Sequence, residues 1–102
     1  MIIKTVRTTR PNTEVNFYEF SLDFVSYRLE NYINTKKLKI ENSLSEDGLT
    51  KISTFIFLDQ ATQNQYDKDP IISKELKNRN IYNRSQGITA NAKTISTYQE
   101  VA

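Results

Sequence analysis

Hydrophobic positions alternate with polar ones near both ends of the chain and recur at helical spacing between them. From Ile2 to Thr9 the alternation puts Ile2, Lys4, Val6 and Thr8 on one face and Ile3, Thr5 and Arg7 on the other. β-branched residues dominate this stretch, as a strand prefers. Arg10-Pro11-Asn12-Thr13 breaks the pattern. Glu14 to Phe20 then carries Val15, Phe17, Tyr18 and Phe20, too apolar for a free linker, and predicts a segment packed along a helix or the sheet edge. A helix is predicted from Ser21 to Thr35. Ser21 is its N-cap, Phe20 and Val25 have the spacing of a hydrophobic staple, and Asp23 suits the first turn. Leu22, Val25, Leu29, Tyr32 and Ile33 form the apolar stripe, and Lys36 and Lys37 follow the end, where positive charge suits the helix dipole.

A second strand carries Leu38, Ile40 and Leu44 at alternate positions. Glu46-Asp47-Gly48 makes the turn, with glycine free to take positive φ. The third strand, Leu49 to Leu58, points Ile52, Thr54, Ile56 and Leu58 one way and Lys51, Ser53, Phe55 and Phe57 the other. Asp59 caps a helix through about Asp67. Asp69-Pro70 starts another, with Asp as N-cap and Pro at the first helical position. Ile72 and Leu76 continue an apolar stripe, Glu75 and Arg79 have i,i+4 spacing for an ion pair, and Gly87 suits a helix end. The last strand, Thr89 to Val101, has Ile95, Tyr98 and Val101 as anchors after Ile88. Its Lys93 and many Thr and Ser residues predict an edge strand, or one completed by another chain.

The order strand, helix, strand, strand, helix, strand predicts one α+β domain over residues 1–102. It has a ferredoxin-like β-α-β-β-α-β architecture, with a four-stranded antiparallel sheet and helices on one face. The uncovered face must then be polar or have a partner. Because the end of the third strand is apolar on both sides, Phe55 and Phe57 are assigned to a homodimer face that closes two such sheets into a dimeric α/β barrel.

Composition narrows the chemistry. The chain has 102 residues, 37% hydrophobic, with no cysteine and no histidine. This excludes disulfides, thiolate metal sites and a cysteine nucleophile, and removes the usual general base and haem ligand. No cofactor and no metal are expected. Asp67 with Asp69, and Glu46 with Asp47, lack the spacing of a calcium loop and read as cap and turn residues. Gly48 and Gly87 stand alone, so there is no glycine-rich phosphate loop. The net charge of +2 does not by itself imply a nucleic-acid partner, and Lys4, Arg7 and Arg10 read as solubility charges near the end of the first strand. No apolar run reaches the length of a membrane span, and Met1-Ile2-Ile3-Lys4 is no signal peptide. A cytoplasmic location is expected, in host cytoplasm or a virion if the protein is viral.

The element order, the helix start Asp59-Gln60-Ala61 and the break at Tyr66…Asp69-Pro70 resemble the dimeric α/β-barrel proteins, whose best-known members are antibiotic-biosynthesis-type monooxygenases. The resemblance implies a cleft between helices and sheet with polar and aromatic lining, for which Tyr27, Asn31, Asn64 and Tyr66 are the catalytic candidates. The haem-degrading branch is the least similar, since no histidine is present. A second resemblance lies in Lys4 to Thr13 followed by Val15-Asn16-Phe17-Tyr18, which looks like short proteins of marine tailed phages.

The RNA-recognition motif shares the element order, but Lys51-Ile52-Ser53-Thr54-Phe55-Ile56-Phe57 puts Ser53 where a stacking ring belongs. The leading reading is a non-catalytic structural or interaction protein of phage origin acting as a homodimer. The alternative is a cofactor-independent monooxygenase or isomerase, which calls for Tyr27 or Tyr66 beside a carboxylate of shifted pKa. A third reading, weak binding of single-stranded nucleic acid, requires Phe55 and Phe57 exposed with Arg7 nearby.

Overall fold

The computed structural model describes residues 1–96. Its elements are β1 (Ile2–Thr9), α1 (Leu22–Arg28) continuing into a π-helical turn (Leu29–Ile33), β2 (Leu38–Leu44), β3 (Thr50–Phe57), α2 (Gln60–Lys68), α3 (Pro70–Gln86) and β4 (Thr89–Ser96). The sheet is antiparallel with order β2-β3-β1-β4. Two split β-α-β units interleaved in this way make the ferredoxin-like α+β fold, with the helices on one face. The anchors Tyr98 and Val101 lie outside the described residues.

Capping chemistry sets the helix limits. Ser21 Oγ accepts the Phe24 N–H at 3.2 Å, and Asp59 Oδ1 accepts the Thr62 N–H at 2.7 Å. Asp69 starts α3 with Pro70 at the first position, and Gly87 ends it in the left-handed region at φ 71°. The hairpin turns where Asp47 Oδ1 takes the Leu49 N–H and the Ser45 hydroxyl, with Gly48 at φ 74°.

Strand register decides which face is covered. Leu38, Phe57 and Ile2 lie opposite one another in one row across the sheet, and all are buried. Phe24, Tyr32, Tyr66 and Ile72 pack on that row from the helices and complete the core. Phe57 is 1% exposed, and Phe55 points the same way, half-buried. The two phenylalanines therefore lie under the helices, and the expectation that they carry a dimer face is corrected. Aromatic rings 5.4 Å apart at Phe57 and Tyr66 remove more apolar area there than the aliphatic alternative would. The open face is the other one, with Ile3, Ile52, Ile56 and Ile95 among Thr5, Thr54, Arg7 and Lys93.

The stripe expected on the first helix holds at Tyr32 and Ile33 and is corrected at Leu22, Val25 and Leu29. Leu22 is 84% exposed, and Val25 and Leu29 also face outward. The buried positions are Phe24 and Tyr32, with Arg28 between them and its guanidinium 4.9 Å from the Phe24 ring centre. Phe20 stacks at 4.9 Å on Phe24 rather than stapling to Val25. The segment before the helix packs down as predicted. Arg10 is not a free surface charge: Nε donates to Gly48 O at 2.9 Å, Nη1 donates to Val15 O at 3.0 Å, and the guanidinium covers Phe17.

Candidate functional site

Two carboxylates fasten the helices to each other. Asp69 Oδ2 accepts the Tyr27 hydroxyl at 2.5 Å and the Tyr32 hydroxyl at 2.8 Å, while Oδ1 takes the N–H groups of Ile71 and Ile72. Burial opposes ionisation of Asp69, but the tyrosine and backbone hydrogen bonds outweigh it and hold the carboxyl below its ordinary value. Glu75, buried on α3, accepts Tyr18 Oη at 2.6 Å and Ser21 Oγ at 2.9 Å. The Tyr18 hydrogen bond, ahead of the opposing burial, lowers the Glu75 pKa, and the same bond pushes Tyr18 up to about 12. Both acids are kept ionised with their lone pairs occupied. They are tethers, poorly suited to removing a substrate proton.

A different chemistry fills the space between α3 and the sheet. A cleft of about 240 Å³ opens there, walled by Phe55, Phe57, Tyr66 and Leu76, with Lys4 and Arg79 reaching in. Arg79 also borders a smaller recess beyond Phe55, shared with Lys51 and Phe17. Lys4 and Lys51 come from the covered face of the sheet, because Lys4 pairs with Phe55 and Lys51 with Thr8 in register. Among the described residues no carboxylate lines either space. Desolvation lowers the pKa of Lys51, and the nearby Arg79 adds to it. Desolvation lowers Arg79 as well. Arg79 Nη2 donates to Asn80 Oδ1 at 3.2 Å, but its buried Nε has no hydrogen-bond partner.

The sequence candidates are scattered over this arrangement. Tyr66 forms part of the cleft wall, buried and raised in pKa by that burial against the opposing hydrogen bond from Arg28. Tyr27 belongs to the Asp69 tether. Exposed Asn31 donates to the Tyr27 carbonyl at 2.8 Å. Asn64 stands apart on the exposed side of α2, accepting from Gln60 at 3.0 Å. Tyr27 and Tyr66 are linked only through Tyr32, whose ring meets Tyr66 at 5.1 Å and whose hydroxyl shares Asp69.

The predicted Glu75–Arg79 pair does not form. Glu75 turns toward α1 and Arg79 toward the sheet, and the one ion pair among the described residues is Lys39–Glu41 at 3.1 Å. Sequence reading gave Arg79 to an ion pair and Lys4 to the surface, and brought neither of them, nor Lys51, to a site between helix and sheet. Spacing offered a signal, since Arg79 falls seven residues after buried Ile72 on the covered stripe, and Lys4 alternates with Ile2 and Val6. The cluster expected of Lys4, Arg7 and Arg10 is dispersed: Lys4 points under the helices, Arg7 outward, and Arg10 into the hairpin loop. The nucleic-acid reading loses its platform, because Phe57 is covered and Arg7 lies on the opposite face.

The fold defines a class. The structure is similar to that of a candidate antibiotic biosynthesis monooxygenase from Deinococcus radiodurans, with a TM-score of 0.53 at 10% identity, covering 100% of this chain and 97% of that one. It is also similar to Rv0793 from Mycobacterium tuberculosis, with a TM-score of 0.51 at 9% identity and full coverage of both chains. At such identities the likeness establishes the ferredoxin-like fold alone. No protein-family model matches the chain, and no curated protein matches it in sequence. Among the described residues no helix is long and apolar enough to cross a membrane.

Proposed function

We propose that the chain is a non-catalytic small-molecule-binding protein that works as a homodimer, with its ligand held between α3 and the sheet. The observation that carries this reading is the cleft, a space walled by apolar and aromatic side chains with a few polar groups at its border. The dimer is assigned to the open sheet face. Ile56, Ile3 and Ile95 stand side by side on adjacent strands there, with Ile52 two rows away. In the row between, Glu41 and Lys93 occupy opposite edges. A two-fold axis along the strands lays Glu41 of one copy over Lys93 of the other and the isoleucines against each other.

Light scattering over a concentration series tests this. The wild type is expected at twice the 11.9 kDa chain mass. Ile56→Asp is expected to give a folded monomer. A wild-type monomer at every concentration overturns the dimer.

A second reading is cofactor-independent oxygenation or isomerisation in the same cleft. The fold shared with the Deinococcus protein favours it, as does a set of cations able to stabilise a developing substrate anion. The absence of a carboxylate base among the described lining residues ranks it second. A virion setting rests on the resemblance of the opening segment alone.

A further inference from the structure

We propose that the cleft between α3 and the sheet selects an organic anion, a flat aromatic body of one or two rings bearing a single carboxylate or phenolate group. This rests on the cleft being the ligand site and adds the chemical class of its occupant. The body is set by the walls. Phe55 presents a half-buried ring, Phe57 and Tyr66 back it from the core, and Leu76 closes the helix side. A volume of about 240 Å³ falls below the roughly 300–1,000 Å³ of sites for drug-sized molecules, which limits the occupant to a small ring system.

The charge is set by what the walls lack. Lys4 and Arg79 reach into the cleft from β1 and α3, Arg79 and Lys51 border the recess beyond Phe55, and among the described residues no acid lines either space. The acids of α3 and its cap are already taken, Glu75 by Tyr18 and Ser21, and Asp69 by Tyr27 and Tyr32. Like charges gathered away from water raise the energy of the fold unless a counter-charge arrives. Arg79, which borders the cleft and has no acid partner among the described residues, supplies the donor for that counter-charge, while its Nε lies buried and bonds to nothing in the protein. A guanidinium with a free N–H suits a carboxylate or phenolate oxygen, and the neighbouring rings suit the flat body behind it. Lys51, held 5.1 Å over the Phe17 ring, adds positive potential from the far side of Phe55.

The probes are 2-naphthoate and its neutral counterpart 2-naphthamide, titrated calorimetrically into the full chain. Naphthoate is expected to bind at least tenfold more tightly than naphthamide. Arg79→Met is expected to erase that preference by weakening naphthoate at least tenfold more than naphthamide, and to melt no lower than the wild type, because it removes a half-buried charge with no acid partner among the described residues. Lys77→Met removes the same charge from the exposed side of α3 and is expected to keep the preference. Leu76→Trp fills the cleft and is expected to abolish both titrations. Equal binding of the two probes overturns anion selection but leaves the cleft as a ligand site. Binding of neither overturns both readings. Naphthoate binding that survives Leu76→Trp, or a preference for naphthoate that survives Arg79→Met, also overturns the proposal.

Discussion

Replacing Asp69 with alanine should remove the most connected side chain of the helical layer, and its cost can be worked from the contacts it makes. Losing the α3 cap costs about 1 kcal/mol, as for other N-cap residues. Each tyrosine hydroxyl then loses a charged acceptor, worth about 1.5–3 kcal/mol. The lower end applies to half-exposed Tyr27. Tyr32, 1% exposed, is left with a hydroxyl buried beside Tyr66 and no acceptor from Asp69.

Together these give about 4–5.5 kcal/mol, a large part of the roughly 5–15 kcal/mol available to such a domain. At about 4–8 °C per kcal/mol for a chain near this size, Asp69→Ala should melt at least about 15 °C lower by circular dichroism. Tyr32→Phe should be costly in the wild type and nearly free in the Asp69→Ala background, because the two substitutions remove one interaction. The sign with pH follows from the depressed carboxyl. Its contribution is present above the unfolded value near 3.8 and is lost as pH falls through the lower folded value. The gap between wild type and variant should therefore close in strong acid. A loss near 1 kcal/mol, matching the cap alone, would refute the claim that Asp69 ties the helices together.

Ser21→Ala should cost about 1–2 kcal/mol in a urea melt, since Ser21 caps α1 and also donates to Glu75; an unmoved midpoint would refute this helix start. Near-ultraviolet absorbance should show Tyr18 ionising at about 12, and Tyr18→Phe should remove that step. With a folded pKa above the ordinary 10.0, the Tyr18 contribution to stability is whole below pH 10 and disappears as pH rises through about 12. An alkaline titration identical in the two proteins would count against the Tyr18–Glu75 bond.

Much of the fold was written in local patterns. The caps at Ser21, Asp59 and Asp69, the stop at Gly87 and the turn at Gly48 depend on backbone groups a few residues away, so the sequence carries them directly. Which face of a strand is covered depends on what arrives from elsewhere. β3 is apolar on both sides, so alternation alone left Phe55 and Phe57 free to be assigned to either face. Their burial follows from Tyr66 and Ile72, which come from later helices. α1 misled for a related reason. Its aliphatic stripe at Leu22, Val25 and Leu29 competes with an aromatic one at Phe24 and Tyr32, and the aromatic one gains Asp69 for its hydroxyl as well as the greater area. The site was harder still, because i,i+4 spacing suggested that Glu75 and Arg79 satisfied each other. Neither side chain turns toward the other, and that divergence both locks α1 and leaves a cation facing the sheet.

The two ends of the covered sheet face therefore obey different rules. In the row of Leu38, Phe57 and Ile2, apolar groups meet apolar groups and the helices close over them. One row along, Phe55 stands beside Lys4, and two rows beyond that Lys51 stands beside Thr8, with Arg79 above the space between. A chain with only 37% hydrophobic residues has little apolar material for a second packed row. Scarcity alone would favour small neutral side chains such as the Thr, Ser and Asn this sequence uses freely elsewhere. Converging lysine and arginine stems cover the rings with their methylenes but leave charge in a place water reaches poorly. If those cations served stability, removing Arg79 would weaken the fold. The orphaned Nε and the depressed pKa values of Arg79 and Lys51 give the opposite sign, a fold that gains from losing the charge and a ligand that loses. Opposite signs in a melt and in a titration of one variant are what separate a binding residue from a structural one.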